Sequence, residues 1–140
     1  MLKKFTIESI LNHDEDPHDR QKRIPWWSQE RLFKAKVMVV GAGAIGNETL
    51  KNLALLGIGN IFIVDFDTVT TSNLSRTVLF KKSDIGKNKA EIAAERTKEL
   101  SLYDNTNIDW FHGDLVWDLG SGIYKEMDIV LGCLDNTEAR

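Results

Sequence analysis

Residues 37–40 and 61–64 are apolar at every position, too short for a core helix and too uniform for a strand with one wet face. Such runs predict strands covered on both sides, as in a parallel sheet. Between them, Ile45, Thr49, Leu53 and Leu56 recur on one helical face and Gly57 follows as a stop, so residues 44–56 are predicted to be a helix. Residues 66–85 keep neither period and predict a loop of about 20 residues, a length that in a compact domain usually signals function. Helical spacing returns after Gly86, with Ala90, Ala93, Thr97 and Leu100 on one face. A polar turn over 103–107, a third strand over 108–112 and a fourth, apolar strand over 127–133 complete the pattern. Strand and helix alternate throughout, which predicts an α/β fold, a doubly wound (Rossmann-like), mainly parallel sheet of strand order 3-2-1-4.

Residues 1–35 lack that regularity and are read as an N-terminal helical and loop extension of the α/β unit at 36–140. Phe5, Ile7, Ile10 and Leu11 are spaced as in a helix, residues 13–23 are charged and loop-like, and Ser28 is placed to cap a short helix over 28–33.

The first strand ends in Gly41-Ala42-Gly43-Ala44-Ile45-Gly46, a G-x-G-x-x-G that opens the first long helix. The first glycine permits the tight turn, the second lets a phosphate approach the backbone, and the third lets helix and strand pack closely. Free N–H groups and the positive end of the helix favour an anion there. Asp65 closes the second strand about 20 residues further on, where a carboxylate can accept hydrogen bonds from ribose hydroxyls. This strand–turn–helix–strand setting predicts a nucleotide site without separating ATP from NAD.

Composition narrows the classes. The net charge of −3 argues against broad binding to nucleic acid or an anionic membrane. A single cysteine, Cys133, excludes an internal disulfide framework and a cysteine-only zinc site. No signal peptide is visible and no apolar run approaches the roughly 18 residues that span a bilayer, so a cytoplasmic protein without membrane partners is expected.

Further polar residues gather in order beyond the glycine loop. Asp65 and Asp67 lie at i and i+2, on one side of an extended chain. Ser72-Asn73-Leu74-Ser75-Arg76 puts an amide and a guanidinium inside the long loop, Gly86-Lys87-Asn88-Lys89 an ammonium at the next helix start, and Leu134-Asp135-Asn136 a carboxylate past the fourth strand. Ligands of open α/β sheets bind at that end of the strands.

The ordered set GAGAIG, VDFD, SNLSR, GKNKAE and CLDN resembles the ATP-binding half of ubiquitin-activating-enzyme-type proteins (ThiF, MoeB, HesA and relatives), from about residue 31 to 140. The resemblance implies a Mg-ATP-dependent adenylyltransferase that activates the C-terminal carboxylate of a ubiquitin-like or sulfur-carrier protein, forming an acyl-adenylate and pyrophosphate. It implies that Gly41, Gly43 and Gly46 cradle the phosphates, that Asp65 holds the ribose, and that Asn73, Arg76 and Lys89 face the triphosphate. Asp135 would bind Mg²⁺ directly or through water, with Asp67 near the same site. Arg20 is the best match to an N-terminal arginine that reaches the phosphates of a dimer partner, so a homodimer is expected. The chemistry suits these residue types: an ionised carboxylate needs no general base, only positive charge and fixed geometry at the α-phosphorus.

Other residues are left structural. Cys133 closes an apolar strand and is expected to be buried; His13, His18 and His112 lack ligand spacing and are expected at the surface or in turns. Trp26 and Trp27 are expected to pack on the domain or a partner. Because the family domain runs roughly 100 residues longer, a nucleotide-binding fragment, inactive alone and with an open apolar edge at its fourth strand, is expected. An NAD-dependent oxidoreductase domain and a non-catalytic partner subunit remain as alternatives.

Overall fold

The computed structural model describes residues 16–135; the expected helix around Phe5–Leu11, His13 and Asn136 lie outside them. Four parallel strands, β1 (Lys36–Val40), β2 (Asn60–Asp65), β3 (Asn107–His112) and β4 (Ile129–Gly132), form one sheet in the order β3-β2-β1-β4. Helices α1 (Asp19–Lys22), α2 (Gln29–Lys34), α3 (Ala44–Leu56), α4 (Lys89–Leu100) and α5 (Gly122–Lys125) flank the strands, with two short 3₁₀ turns between β2 and α4. The predicted architecture and strand order are those observed. None of the described helices is long and apolar enough to cross a membrane.

Alternation along the strands divides the core. Val37, Val39, Ile61 and Ile63 point to the face covered by α3 and α4, where Leu50, Ala90, Ile92 and Ala93 complete a large buried cluster. Met38, Val40 and Val64 point the other way, under Leu115, Leu119, Ile123 and Tyr124. Both central strands are therefore covered on both sides, as their unbroken apolar runs require. The edge strand β4 is not: Ile129 and Val130 are exposed.

The core-facing side of α3 differs from the expected one. Gly46, Asn47, Leu50 and Ala54 are buried, whereas Ile45 is 64% exposed and Leu55 and Leu56 face outward. The small and polar residues win the inner face because the glycine loop and the long loop both press on the start of this helix. Gly57, left-handed at φ 77°, ends the helix as predicted. On α4, Ala90, Ala93 and Thr97 are buried as expected, while Leu100 reaches the surface.

Two corrections concern the N-terminal segment. Residues 19–22 make a helical turn rather than loop, and His18, in the turn just before it as one expected alternative had it, is buried. Its Nε2 donates to the Leu55 carbonyl at 2.7 Å, which leaves Nδ1 to accept from the Tyr103 hydroxyl at 2.7 Å. Gln29 donates to the neighbouring Leu56 carbonyl at 2.8 Å. Together they satisfy carbonyls at the end of α3 that have no helical partner. Ser28 caps α2 by accepting from the Arg31 N–H. Trp27 is half-buried and donates to Gln29, but Trp26 is exposed and its expected packing on the domain is not seen.

Candidate functional site

The order 3-2-1-4 reverses direction between β1 and β4, which opens a crevice beyond their carboxyl ends. A cavity of about 330 Å³ lies there, within the range of small-molecule sites. Its walls include Gly41, Gly43, Asp65, Asp67, Asn73, Arg76, Lys89 and Asp135, brought together from five separate stretches of chain. Of the sequence-predicted site residues, Gly46 and Arg20 stand outside these walls.

Gly46 acts from behind. A Cβ there would sit 1.9 Å from the Gly41 carbonyl oxygen, so only glycine lets α3 begin this close to the end of β1. Gly41 itself is left-handed at φ 96° and lies against the Cys133 carbonyl. The loop is also anchored across the sheet, because the Gly41 N–H donates to Val64 O and the Cys133 N–H to Val40 O, both at 2.8 Å.

Asp65 organises the floor. One carboxylate oxygen accepts from the Ala42 N–H at 2.7 Å and the other from the Asp67 N–H at 2.7 Å. Burial pushes its carboxyl above the usual aspartate range, against the pull of those N–H donors and of the Lys89 ammonium. Each oxygen keeps a further lone pair for a ligand hydroxyl. Lys89 is buried at the start of α4, with Nζ 3.1 Å from the Asp67 carboxylate.

The stretch expected to be a plain loop from 66 to 85 is more structured. It carries 3₁₀ turns at Thr71–Ser75 and Lys82–Asp84, and a bridge joins Thr68 to Asn88. Asn73 is buried, its side-chain oxygen accepting from the Thr70 N–H and hydroxyl. Arg76 is exposed and donates to the Ser72 carbonyl at 2.8 Å. The far end is pinned by Asp84, fully buried, whose carboxylate accepts from the Lys81 N–H at 2.8 Å and from Arg96 at 3.2 Å. Burial would push Asp84 up, but the Lys81 N–H and the guanidinium together hold it below the usual aspartate range.

Sequence reasoning missed one wall. Gly113, Asp114, Leu115, Val116 and Trp117 follow β3 and close the cavity opposite the long loop. The Asp114 carboxylate shapes this turn by accepting from the Val116 N–H at 2.7 Å and the Trp117 N–H at 3.2 Å. Their position past a strand's carboxyl end was the available signal; no motif marks them. Cys133, expected to be buried, is half-buried on the cavity wall with Sγ 3.6 Å from the Thr49 hydroxyl. It continues the edge strand β4, whose own Ile129 and Val130 are exposed as well. Asp135 is exposed on the same wall. Arg20 is exposed on α1.

Comparison with known proteins places this arrangement. The ThiF family model matches residues 18–140. The SUMO-activating enzyme subunit 2 of Dictyostelium discoideum is 45% identical over 112 residues, 79% of this chain and 17% of that protein. The NEDD8-activating enzyme E1 catalytic subunit of Caenorhabditis elegans is 37% identical over 127 residues, 87% of this chain and 29% of that protein. The chain thus spans under a third of the length of these relatives. Among solved structures, E. coli MccB with ATP superposes with a TM-score of 0.58 at 34% identity, over 62% of this chain and 25% of that one. MccB with AMPCPP and MccA gives 0.67 at 27% identity, over 81% and 35%. With the family model covering both the glycine loop and every described residue of the cavity wall, the chain belongs to the ThiF family, the ubiquitin-activating type of adenylating protein.

Proposed function

We propose that this chain is the ATP-binding part of an enzyme that adenylates the C-terminal carboxylate of a ubiquitin-like or sulfur-carrier protein. The observation that carries this reading is the convergence of the glycine loop, Asp65, Asn73, Arg76, Lys89 and Asp135 on one cavity. The names of the relatives, activating enzymes and an ATP-bound MccB, support it.

In this reading the glycine loop and the start of α3 receive phosphate through backbone N–H groups, and Asp65 accepts from the ribose hydroxyls. Asn73 and Arg76 from the long loop and Lys89 from α4 face the triphosphate. Lys89 would exchange its contact with Asp67 for phosphate oxygens. The acceptor carboxylate attacks the α-phosphorus; a new P–O bond forms as the bond to the β-phosphate oxygen breaks, and pyrophosphate leaves. No proton needs to be removed, so the residues contribute charge and alignment.

The donor set suits Mg²⁺. Among the described residues no group of three or more His, Cys, Asp or Glu could hold a metal alone. That fits an ion that keeps several waters and takes one carboxylate plus substrate phosphates. Asp135 would hold it, and the ion would offset charge on the phosphate oxygens.

Arg20 lies outside this cavity and is exposed, as required of a residue that serves a second copy, so we also propose a homodimer in which each Arg20 reaches its partner's nucleotide. The test is pyrophosphate exchange into ATP by the full-length protein, run with and without a candidate carboxylate acceptor. Acceptor-dependent exchange is expected. Release of γ-phosphate alone, with no exchange, contradicts the reading.

A further inference from the structure

Asn47, in the first turn of α3, is fully buried and is not part of the glycine motif. Its amide nitrogen donates to two carbonyls of the glycine loop, Ala42 O at 2.8 Å and Gly43 O at 2.9 Å. Its side-chain oxygen accepts from the Leu79 N–H at 3.0 Å, 32 residues further along. Leu79 ends the stretch that carries Asn73 and Arg76, and that stretch is internally braced. The Thr77 hydroxyl donates to Asn73 O at 2.8 Å and the Arg76 guanidinium to Ser72 O at 2.8 Å. One amide side chain therefore spans the two parts of the cavity that come from distant sequence.

The geometry has a directional consequence. With the Ala42 and Gly43 carbonyls drawn onto Asn47 and the Ala42 N–H held by Asp65, the peptide units of that loop are fixed in orientation. The same amide sets how far Arg76 stands from the loop. We infer that Asn47 is a positioning residue that holds the Asn73–Arg76 stretch in register on the phosphate-binding loop, and thereby selects for a ligand long enough to touch both. This rests on the nucleotide reading above and adds a residue that acts without contacting the nucleotide.

A serine separates the two roles. A serine hydroxyl in a helix readily bonds the carbonyl four residues earlier, here Gly43, but is too short to reach Leu79. In full-length Asn47→Ser, exchange of the Leu79 amide hydrogen is expected to accelerate while that of residues 41–46 stays near wild type. ATP affinity is expected to fall by about tenfold, the scale of one buried hydrogen bond, and to match the loss in Arg76→Ala. AMP, which reaches only the glycine loop and Asp65, should bind within about twofold of wild type. Unchanged ATP affinity in Asn47→Ser, beside a loss in Arg76→Ala, overturns the inference and leaves Asn47 a core residue. An equal loss for AMP and ATP also overturns it. Should Asn47→Ser unfold, Asn47→Thr offers the same hydroxyl with the same expected split between AMP and ATP. A wild-type protein that binds no ATP sinks the proposed function instead, and the Leu79 exchange still reports on the tether, because it needs no nucleotide.

Discussion

The two faces of the sheet meet the cavity in different ways. On the α3 and α4 side, a large apolar cluster supports the glycine loop, Asp65 and Lys89, and each of these has a defined partner. On the other side, among the described residues, the buried apolar cluster consists of Met38, Val40 and Val64. There the cavity is bounded by the 113–117 turn and Asp135, with Trp117 85% exposed. A nucleotide would thus have ribose and phosphates on a preformed surface, whereas the opposite wall is lightly held by its own packing. Preorganised donors serve catalysis because no reorganisation accompanies charge development. The lightly held wall is where a ligand or further protein surface can still add contacts.

The largest effect that sharpens this contrast is Gly46→Ala. Its methyl would meet backbone, not a flexible side chain, so a loss of about 3 kcal/mol is expected. Gly43→Ala is the control, since a Cβ there meets nothing within 4 Å. It should melt like wild type yet bind ATP less well, because the added methyl faces the cavity. Equal melting of the two variants would show that the close approach of α3 to Gly41 is not what holds the loop.

Asp84→Asn removes the charge-assisted bonds to Arg96 and is expected to cost about 2 kcal/mol at neutral pH. Its folded-state pKa is depressed, so its stabilisation is fully present above the usual aspartate value of 3.8 and is lost as pH falls through the lower folded value. Urea melts of the two proteins should therefore begin to converge as pH falls below about 3.8 and meet only below the lower folded value. A difference that persists into acid contradicts the ion-pair account.

Arg76→Lys keeps the charge but not the planar fork, and about a tenfold fall in pyrophosphate exchange is expected, some 1.4 kcal/mol. Full activity in that variant would make Arg76 a solvated loop residue. Smallest is Trp117→Ser on the exposed wall, expected to change stability by less than about 0.5 kcal/mol. A larger loss in thermal melts would mean that this wall is as firmly built as the other.

The unequal packing also explains what was readable from the sequence. Residues 37–40 of β1 and 61–64 of β2 are apolar at every position because these strands are central, and the strand order followed from their alternation with helices. Asp65, Asn73, Arg76, Lys89 and Asp135 were found through short-range patterns, and the structure places all of them on one cavity. What failed was whatever depends on contacts distant in sequence. His18 is buried because Leu55 and Tyr103 reach it, and Asn47 is inward because Leu79 does. None of these three partners leaves a mark near the residue it binds. The helical period of α3 was right, but Ile45 and Leu56 drew the predicted face toward themselves, when close backbone packing favoured Gly46 and Asn47. The 113–117 wall is short and mixed in polarity, so periodicity could not reveal it.

The most direct test of the central claim is a calorimetric titration of the full-length protein with ATP, with and without Mg²⁺, alongside NAD. The account predicts ATP binding that tightens with Mg²⁺, together with negligible binding of NAD. Binding of NAD as tight as that of ATP, or ATP affinity indifferent to Mg²⁺, would contradict it.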